Sequence, residues 1–218
     1  MGSSHSELKE QEVEDLGNKT GFSQEQILNI HKRFKILTHN DDTLRKEDLE
    51  NISDLAANPI RSQIISAFFD KRNFCRNEVG TVEEINFEEF LTVMSYFRPL
   101  KQNLPEEERK RIRKEKLRFL FNMHDKDNDG TITLDEYKRV VEELLSNSPG
   151  IEMETVKDIA DAAMLEVANV TMGEMAPDEI YAGITFDHFL QILKGVEIES
   201  KMHIRFLYVD TATMNCTK

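Results

Sequence analysis

Asp125, Asp127, Asp129 and Glu136 are spaced to share one cation. They lie in the run DKDNDGTITLDE, residues 125–136, which fits the pattern D-x-[DN]-x-[DN]-G-x5-E without a mismatch. In such a loop the first, third and fifth side chains are aimed at one point by the turning backbone. Gly130 falls at the sharp bend, where positive φ is needed and glycine adopts it without strain. Thr131 would offer its backbone carbonyl, Thr133 would act directly or through a water, and Glu136 would close the shell with both carboxylate oxygens. The candidate metal ligands are therefore Asp125, Asp127, Asp129, Thr131 and Glu136. All are hard oxygens, which suits Ca2+, with Mg2+ as the smaller competitor.

Helices must hold such a loop at both ends, and the flanking patterns predict them. Leu117, Leu120, Phe121 and Met123 recur at near-helical spacing before the loop, behind a charged run from Glu106 to Lys116. Tyr137, Val140, Val141, Leu144 and Leu145 continue the stripe after it, until Pro149 and Gly150 stop the helix. An Asp-rich turn that merely capped a helix would not need both flanks. Helix, loop and helix make an EF-hand.

Three weaker copies of this unit precede and follow it. In the first, Ser23 caps a helix, Gln26 completes a capping box, Phe22 staples onto Ile27, and Ile27, Ile30 and Phe34 share a face. Phe34 and the bridge residue Leu44 are ten positions apart where Phe121 and Ile132 are eleven, so this loop is one residue short. Leu37 and His39 also stand where carboxylates belong. In the second, Pro59 opens a helix bearing Ile60, Ile64, Ile65, Phe68 and Phe69. Twenty residues then separate Asp70 from Glu89, inclusive, where twelve would make a calcium loop. The insert KRNFCRNEVG brings two arginines and no ligand alternation. The exit helix, Phe87 to Phe97, is intact. In the fourth, a helix starting near Glu152 carries Val156, Ile159, Ala163 and Leu165, and Ile184 is the bridge residue opposite Ile132. His188 takes the bidentate glutamate position there, and NVTMGEMAPDEIYAG is too long and too poor in carboxylates to bind calcium.

The expected fold is thus all-α: a two-lobed EF-hand protein of four helix-loop-helix units, with short β-bridges Leu44/Ile85 and Ile132/Ile184. We divide it into an N-terminal segment 1–20, an N-lobe 21–97, a linker 98–105, a C-lobe 106–200 and a tail 201–218. Residues 7–18 predict a loose acidic helix. The tail's MHIRFLYV reads either as docking on the C-lobe or as a lid beside a partner groove.

Composition narrows the function. A formal charge of −13 argues against nucleic acid and towards cations or basic partner segments. No apolar run is long enough to span a bilayer, and residues 1–20 lack the apolar core of a secretory signal. Cys75 and Cys216 are far apart and read as free thiols in a reducing cytosol. There is no phosphate-binding glycine loop, HExxH or G-x-S-x-G, and the six histidines show no metal spacing, so an enzyme is not expected. The start MGSSHS matches M-G-x-x-x-[ST], which marks Gly2 for myristoylation once Met1 is removed. A polyhistidine leader also begins MGSSH, but it would continue in histidines rather than SELKEQEVEDL. One myristoyl chain binds membrane only marginally, with a constant on the order of 10^4 M⁻¹, so lasting attachment needs a second contact.

Together with the four hands and the Gly2 motif, the phrases NPIRSQIISAFFD, EKLRFLF and KMHIRFL give a resemblance to the calcineurin B-like family, within it to the calcineurin B homologous proteins. The resemblance runs from about Phe22 to Leu207. A silent fourth hand, the short first loop and the MSYFRP segment point to the third branch of those proteins. The resemblance implies a regulatory subunit that binds an amphipathic juxtamembrane helix of a plasma-membrane Na+/H+ exchanger, promotes its maturation and surface activity, and so regulates pH. It also implies, as an alternative, inhibition of the phosphatase calcineurin through its catalytic subunit. The expected location is cytoplasmic, peripheral at the plasma membrane through myristate, with the nucleus as a further compartment. Calcium ligation carries over only to Asp125, Asp127, Asp129, Thr131 and Glu136, and lipidation only to Gly2. Phe68, Phe69, Phe90, Met94 and Phe97 would either line a helix-binding groove or form plain core. Nine methionines in the whole chain do not make a promiscuous sticky surface.

Overall fold

The computed structural model describes residues 8–56, 58–75, 78–100, 104–146, 150, 152–173, 181–198, 201–202, 205–206 and 209–210. Gly2, Pro149, Cys216 and most of the tail lie outside them. In chain order the elements are α1 (Glu10–Thr20), α2 (Gln24–Leu37), β1 (Thr43–Arg45), α3 (Lys46–Glu50), α4 (Ser53–Ala56) and α5 (Arg61–Phe68), then a 3-10 turn (Lys71–Asn73), β2 (Glu84–Asn86) and α6 (Phe87–Ser95). The second half holds α7 (Glu106–His124), β3 (Thr131–Ile132), α8 (Leu134–Leu145), α9 (Met153–Met172), β4 (Ile184–Thr185), α10 (Phe186–Ile192), β5 (Arg205–Phe206) and β6 (Val209–Asp210). No described helix is long and apolar enough to cross a membrane.

Local chemistry sets the helix starts. Ser23 Oγ accepts the Gln26 N–H at 3.2 Å and Gln26 Oε1 accepts the Ser23 N–H at 2.9 Å, the capping box expected for α2. Ile27, Ile30 and Phe34 are fully buried on its inner face. The acidic N-terminal helix is not loose: Val13, Leu16 and Thr20 of α1 are buried, and it packs on α2 and α6. The paired loops meet as expected, β1 with β2 through Leu44 and Ile85, and β3 with β4 through Ile132 and Ile184.

One apolar core runs through both halves. Phe34 meets Phe90 at 5.3 Å between ring centroids, Phe90 meets Phe68 at 5.5 Å, Phe68 meets Phe97 at 6.2 Å, and Phe97 meets Phe119 of α7 edge-on at 5.3 Å. Each such pair contributes about 0.5–1.5 kcal/mol beyond area burial, so this ladder joins the first two hands to the third. At the start of the expected linker, the buried Lys116 donates from Nζ to the carbonyls of Tyr96 and Arg98, both at 2.6 Å. The chain leaving α6 is thereby tied to α7.

Three expectations meet a different outcome. In α9 the buried positions are Val156, Ala160, Met164 and Ala168, spaced by four, while Ile159 and Leu165 are exposed. The helix buries its narrow side of small residues, which permits close approach to α8, and leaves larger ones outside. The groove candidates Phe68, Phe69, Phe90, Met94 and Phe97 are all buried in the shared core. They form core rather than an open groove. The described part of the tail makes an antiparallel pair, β5 with β6, and β5 lies against α4 in the N-terminal half rather than on the C-lobe.

Candidate metal centre

Asp125 caps the C-terminus of α7, its N–H donating to the Phe121 carbonyl at 2.9 Å. From there the loop turns through Asn128, at φ 62°, and Gly130, at φ 88°, the left-handed bend the sequence predicts. Asp127 Oδ1 accepts the Asp129 N–H at 3.1 Å, and Asp129 Oδ1 accepts the Thr131 N–H at 2.7 Å. Thr133 then caps α8 in a capping box with Glu136.

Glu136 is the keystone. One oxygen, Oε2, accepts from Thr133 N at 2.9 Å and Thr133 Oγ1 at 3.0 Å. The other, Oε1, accepts from Lys126 N at 2.7 Å and Asp127 N at 3.4 Å. The residue that caps the exit helix thus reaches back to the loop's entrance. Burial opposes its ionisation, but these N–H and O–H donors outweigh burial and hold the carboxyl below its usual range.

The fold brings Asp125, Asp127 and Glu136 together, with one carboxylate oxygen of each lying within 4.8 Å of the others. Asp129 stands outside that trio, turned to the Thr131 N–H. Thr131 lies in β3, paired with Thr185. Asp125 Oδ1 is buried and accepts no hydrogen bond from any described residue. Burial pushes the Asp125 carboxyl above its ordinary range; the Arg72 guanidinium pulls it down, and the Glu136 charge pushes it up again. A buried acceptor without a donor is costly. Converging hard oxygens with one buried oxygen unsatisfied fit a divalent cation of the Ca2+ or Mg2+ type.

The other hands are closed by the protein's own groups. In the first, His39 and Asn40 take positive φ, 54° and 75°, without a glycine, and Lys35 Nζ donates to Asp42 Oδ1 at 2.6 Å and to the Asp41 carbonyl at 3.1 Å. In the second, Asp70 caps the 3-10 turn and is gripped by Arg72. In the fourth, His188 Nδ1 and Tyr181 Oη share a hydrogen bond of 2.9 Å and the rings stack. Among the described residues no second group of three His, Cys, Asp or Glu side chains converges as the first does.

Sequence reasoning missed Arg72. Read as one of two arginines in a ligand-free insert, it crosses from the N-terminal half to donate to Asp125 Oδ2 at 3.1 Å and Asn128 Oδ1 at 2.8 Å. The available signal was the insert itself, whose extra length gives the chain reach.

Comparison with known proteins agrees with this architecture. The EF hand domain family matches residues 116–144, which span the end of α7, the loop and most of α8. The chain is 60% identical to calcineurin B homologous protein 3 of Xenopus tropicalis over 97% of its length and 98% of the relative's. It is 54% identical to calcineurin B homologous protein 3 of Homo sapiens, covering 98% of this chain and 99% of that one. The calcineurin B-type subunit of Naegleria gruberi is 30% identical over 94% of this chain and 99% of the relative.

Proposed function

This chain belongs to the calcineurin B homologous protein family and is a calcium-binding regulatory EF-hand protein; from that premise we propose that it works without chemistry of its own, as a regulatory subunit of a plasma-membrane Na+/H+ exchanger. Asp125, Asp127, Asp129, Thr131 and Glu136 hold one Ca2+, with Mg2+ as competitor, and the ion orders the loop and adjusts the angle between α7 and α8. The protein takes an amphipathic juxtamembrane helix of the exchanger, promotes its maturation, surface stability and activity, and so regulates intracellular pH. The net charge of −13 suits a basic juxtamembrane segment, and a myristate on Gly2 would add the second membrane contact.

The observation that carries this reading is one acidic loop fitted to a hard cation, on a scaffold whose other three loops are closed by lysine, arginine and histidine side chains. Such a protein is built to tune a dedicated partner rather than to buffer calcium. The core aromatics are closed, so a helix that uses them must first open the shared core. The likeness to a calcineurin B-type subunit favours a second reading, in which the chain replaces that subunit on the phosphatase's catalytic chain and inhibits it.

Calorimetric titration of an exchanger juxtamembrane helix peptide, with Ca2+ and with chelator, separates these. Tight binding in both conditions marks a constitutive subunit, and binding only with Ca2+ marks a sensor. No binding in either overturns the exchanger reading and transfers the test to the calcineurin helix.

A further inference from the structure

Where the second hand would carry its calcium loop, the chain instead sends an arginine into the third hand's loop. Arg72 leaves the Lys71–Asn73 turn with its side chain only 11% exposed and spends its whole guanidinium on fixed partners. Nε donates to both oxygens of Asp70, at 3.0 and 2.9 Å, and Nη2 donates to Asp70 Oδ2 at 2.6 Å. Across the boundary between the halves, Nη2 also donates to the carbonyls of Asn122 at 2.9 Å and Asp125 at 2.8 Å. Nη1 donates to Asp125 Oδ2 and Asn128 Oδ1. Asp125 thus gives one oxygen to Arg72 and keeps the other, Oδ1, inside the loop.

We propose that Arg72 is a built-in brake on the calcium site: a fixed cation, delivered by the N-terminal half, that lowers the loop's affinity for Ca2+ and couples ion occupancy to the joint between the halves. The proposal rests on the assignment of residues 125–136 as a cation site. An ion taken by Asp125 Oδ1 shares one carboxylate with a guanidinium that stays charged at any physiological pH. That pair repels, and a buried charge is poorly screened by salt. In the ion-free loop the same guanidinium offsets the repulsion among Asp125, Asp127 and Glu136, which favours the ion-free form further.

An opposing effect must be weighed, because Arg72 also steadies the loop and could assist binding. The loop's shape does not depend on it. Glu136 is held by Thr133, Lys126 and Asp127, and the Asp127 and Asp129 turns close on their own N–H groups. Charge therefore decides the sign. Asp70, the counter-ion of Arg72, weakens the brake without cancelling it, since it lies on the far side of the guanidinium.

Coupling follows by reciprocity. If Arg72 disfavours the ion, the ion weakens Arg72's grip on the loop. Any partner that draws the 71–73 turn away must then tighten calcium binding. The turn is well placed for this role: Asn73 Nδ2 donates to the Ala67 carbonyl at 2.8 Å, and Tyr96 Oη donates to the Asn73 carbonyl at 3.0 Å. Motion of α5 or α6 is thereby felt at the metal centre.

The test is calcium titration by calorimetry of the full chain and four variants, each checked for a single cooperative melt. Arg72→Gln should bind Ca2+ about tenfold tighter than wild type, within the ordinary range of site coupling. Asp70→Asn, which leaves the guanidinium unopposed, should bind more weakly, and Arg72→Lys should stay within about twofold. A merely structural arginine would make all three weaker, and equal or weaker binding by a folded Arg72→Gln overturns the proposal. If Arg72→Gln does not fold, Arg72→Lys decides: near-wild-type affinity supports the brake, and a loss as large as that of Asp70→Asn overturns it. Glu136→Gln serves as the control that the isotherm reports this loop. A wild-type chain that binds no Ca2+ overturns the metal centre itself, an outcome distinct from failure of the brake.

Discussion

His124, the last residue of α7, makes the ion-free protein sensitive to mild acid. Its Nδ1 lies 3.1 Å from Gln63 Oε1 of α5. Gln63 Nε2 donates to Glu143 Oε2 at 3.0 Å, which fixes the amide with its oxygen towards the histidine. Nδ1 must then carry the proton, and the ring is neutral. Burial, reinforced by the Lys126 charge and opposed by Glu136, lowers its pKa from 6.5 to about 4. A histidine with a depressed folded pKa destabilises as pH falls, because between those two values the unfolded chain binds a proton that the native protein refuses. Taking 6.5 unfolded and about 4 folded, the native state loses about 2 kcal/mol between pH 7.5 and 5.0 through this one group. The assay is urea unfolding in chelator at both pH values, for wild type and His124→Gln. Carboxylates common to both proteins cancel, so the wild type should lose about 2 kcal/mol more than the variant over that interval. Parallel losses in the two proteins would refute the reasoning.

Two further substitutions probe the frame around the site. Asn73→Ala removes the donor to the Ala67 carbonyl and the acceptor of Asn122 Nδ2, both buried, and should lower unfolding free energy by about 2–4 kcal/mol in urea melts. A change under about 0.5 kcal/mol would show that this joint between the halves is not under load. Gly183→Ala places a methyl 2.6 Å from the Ile132 carbonyl oxygen, at a φ of +148°. It should destabilise by about 1–3 kcal/mol and weaken calcium binding through the β3/β4 bridge, while thermal melts matching wild type would contradict the packing.

Much of this was legible in the sequence because local rules carried it. The capping boxes at Ser23 and Thr133, the left-handed Gly130 and the Leu44/Ile85 and Ile132/Ile184 bridges follow from short-range spacing. The silent loops were legible too, since missing ligands can be counted; what fills them could not be, because the Arg72–Asp125 contact joins residues 53 positions apart. The α9 register was misread for a related reason. Ala160 and Ala168 face α8 because small residues allow close approach, and a search for large apolar side chains favours Ile159 and Leu165 instead. The groove candidates likewise could not be told from core, since burial depends on what the rest of the chain places above them.

The most direct measurement is calcium stoichiometry by calorimetry on wild type and Glu136→Gln. Glu136 supplies both oxygens at the loop's closing position and four hydrogen bonds to its frame. One Ca2+ per wild-type chain and strongly weakened binding in the variant is the predicted result. Two or more ions per chain, or an isotherm that the variant leaves unchanged, would contradict a single metal centre at residues 125–136.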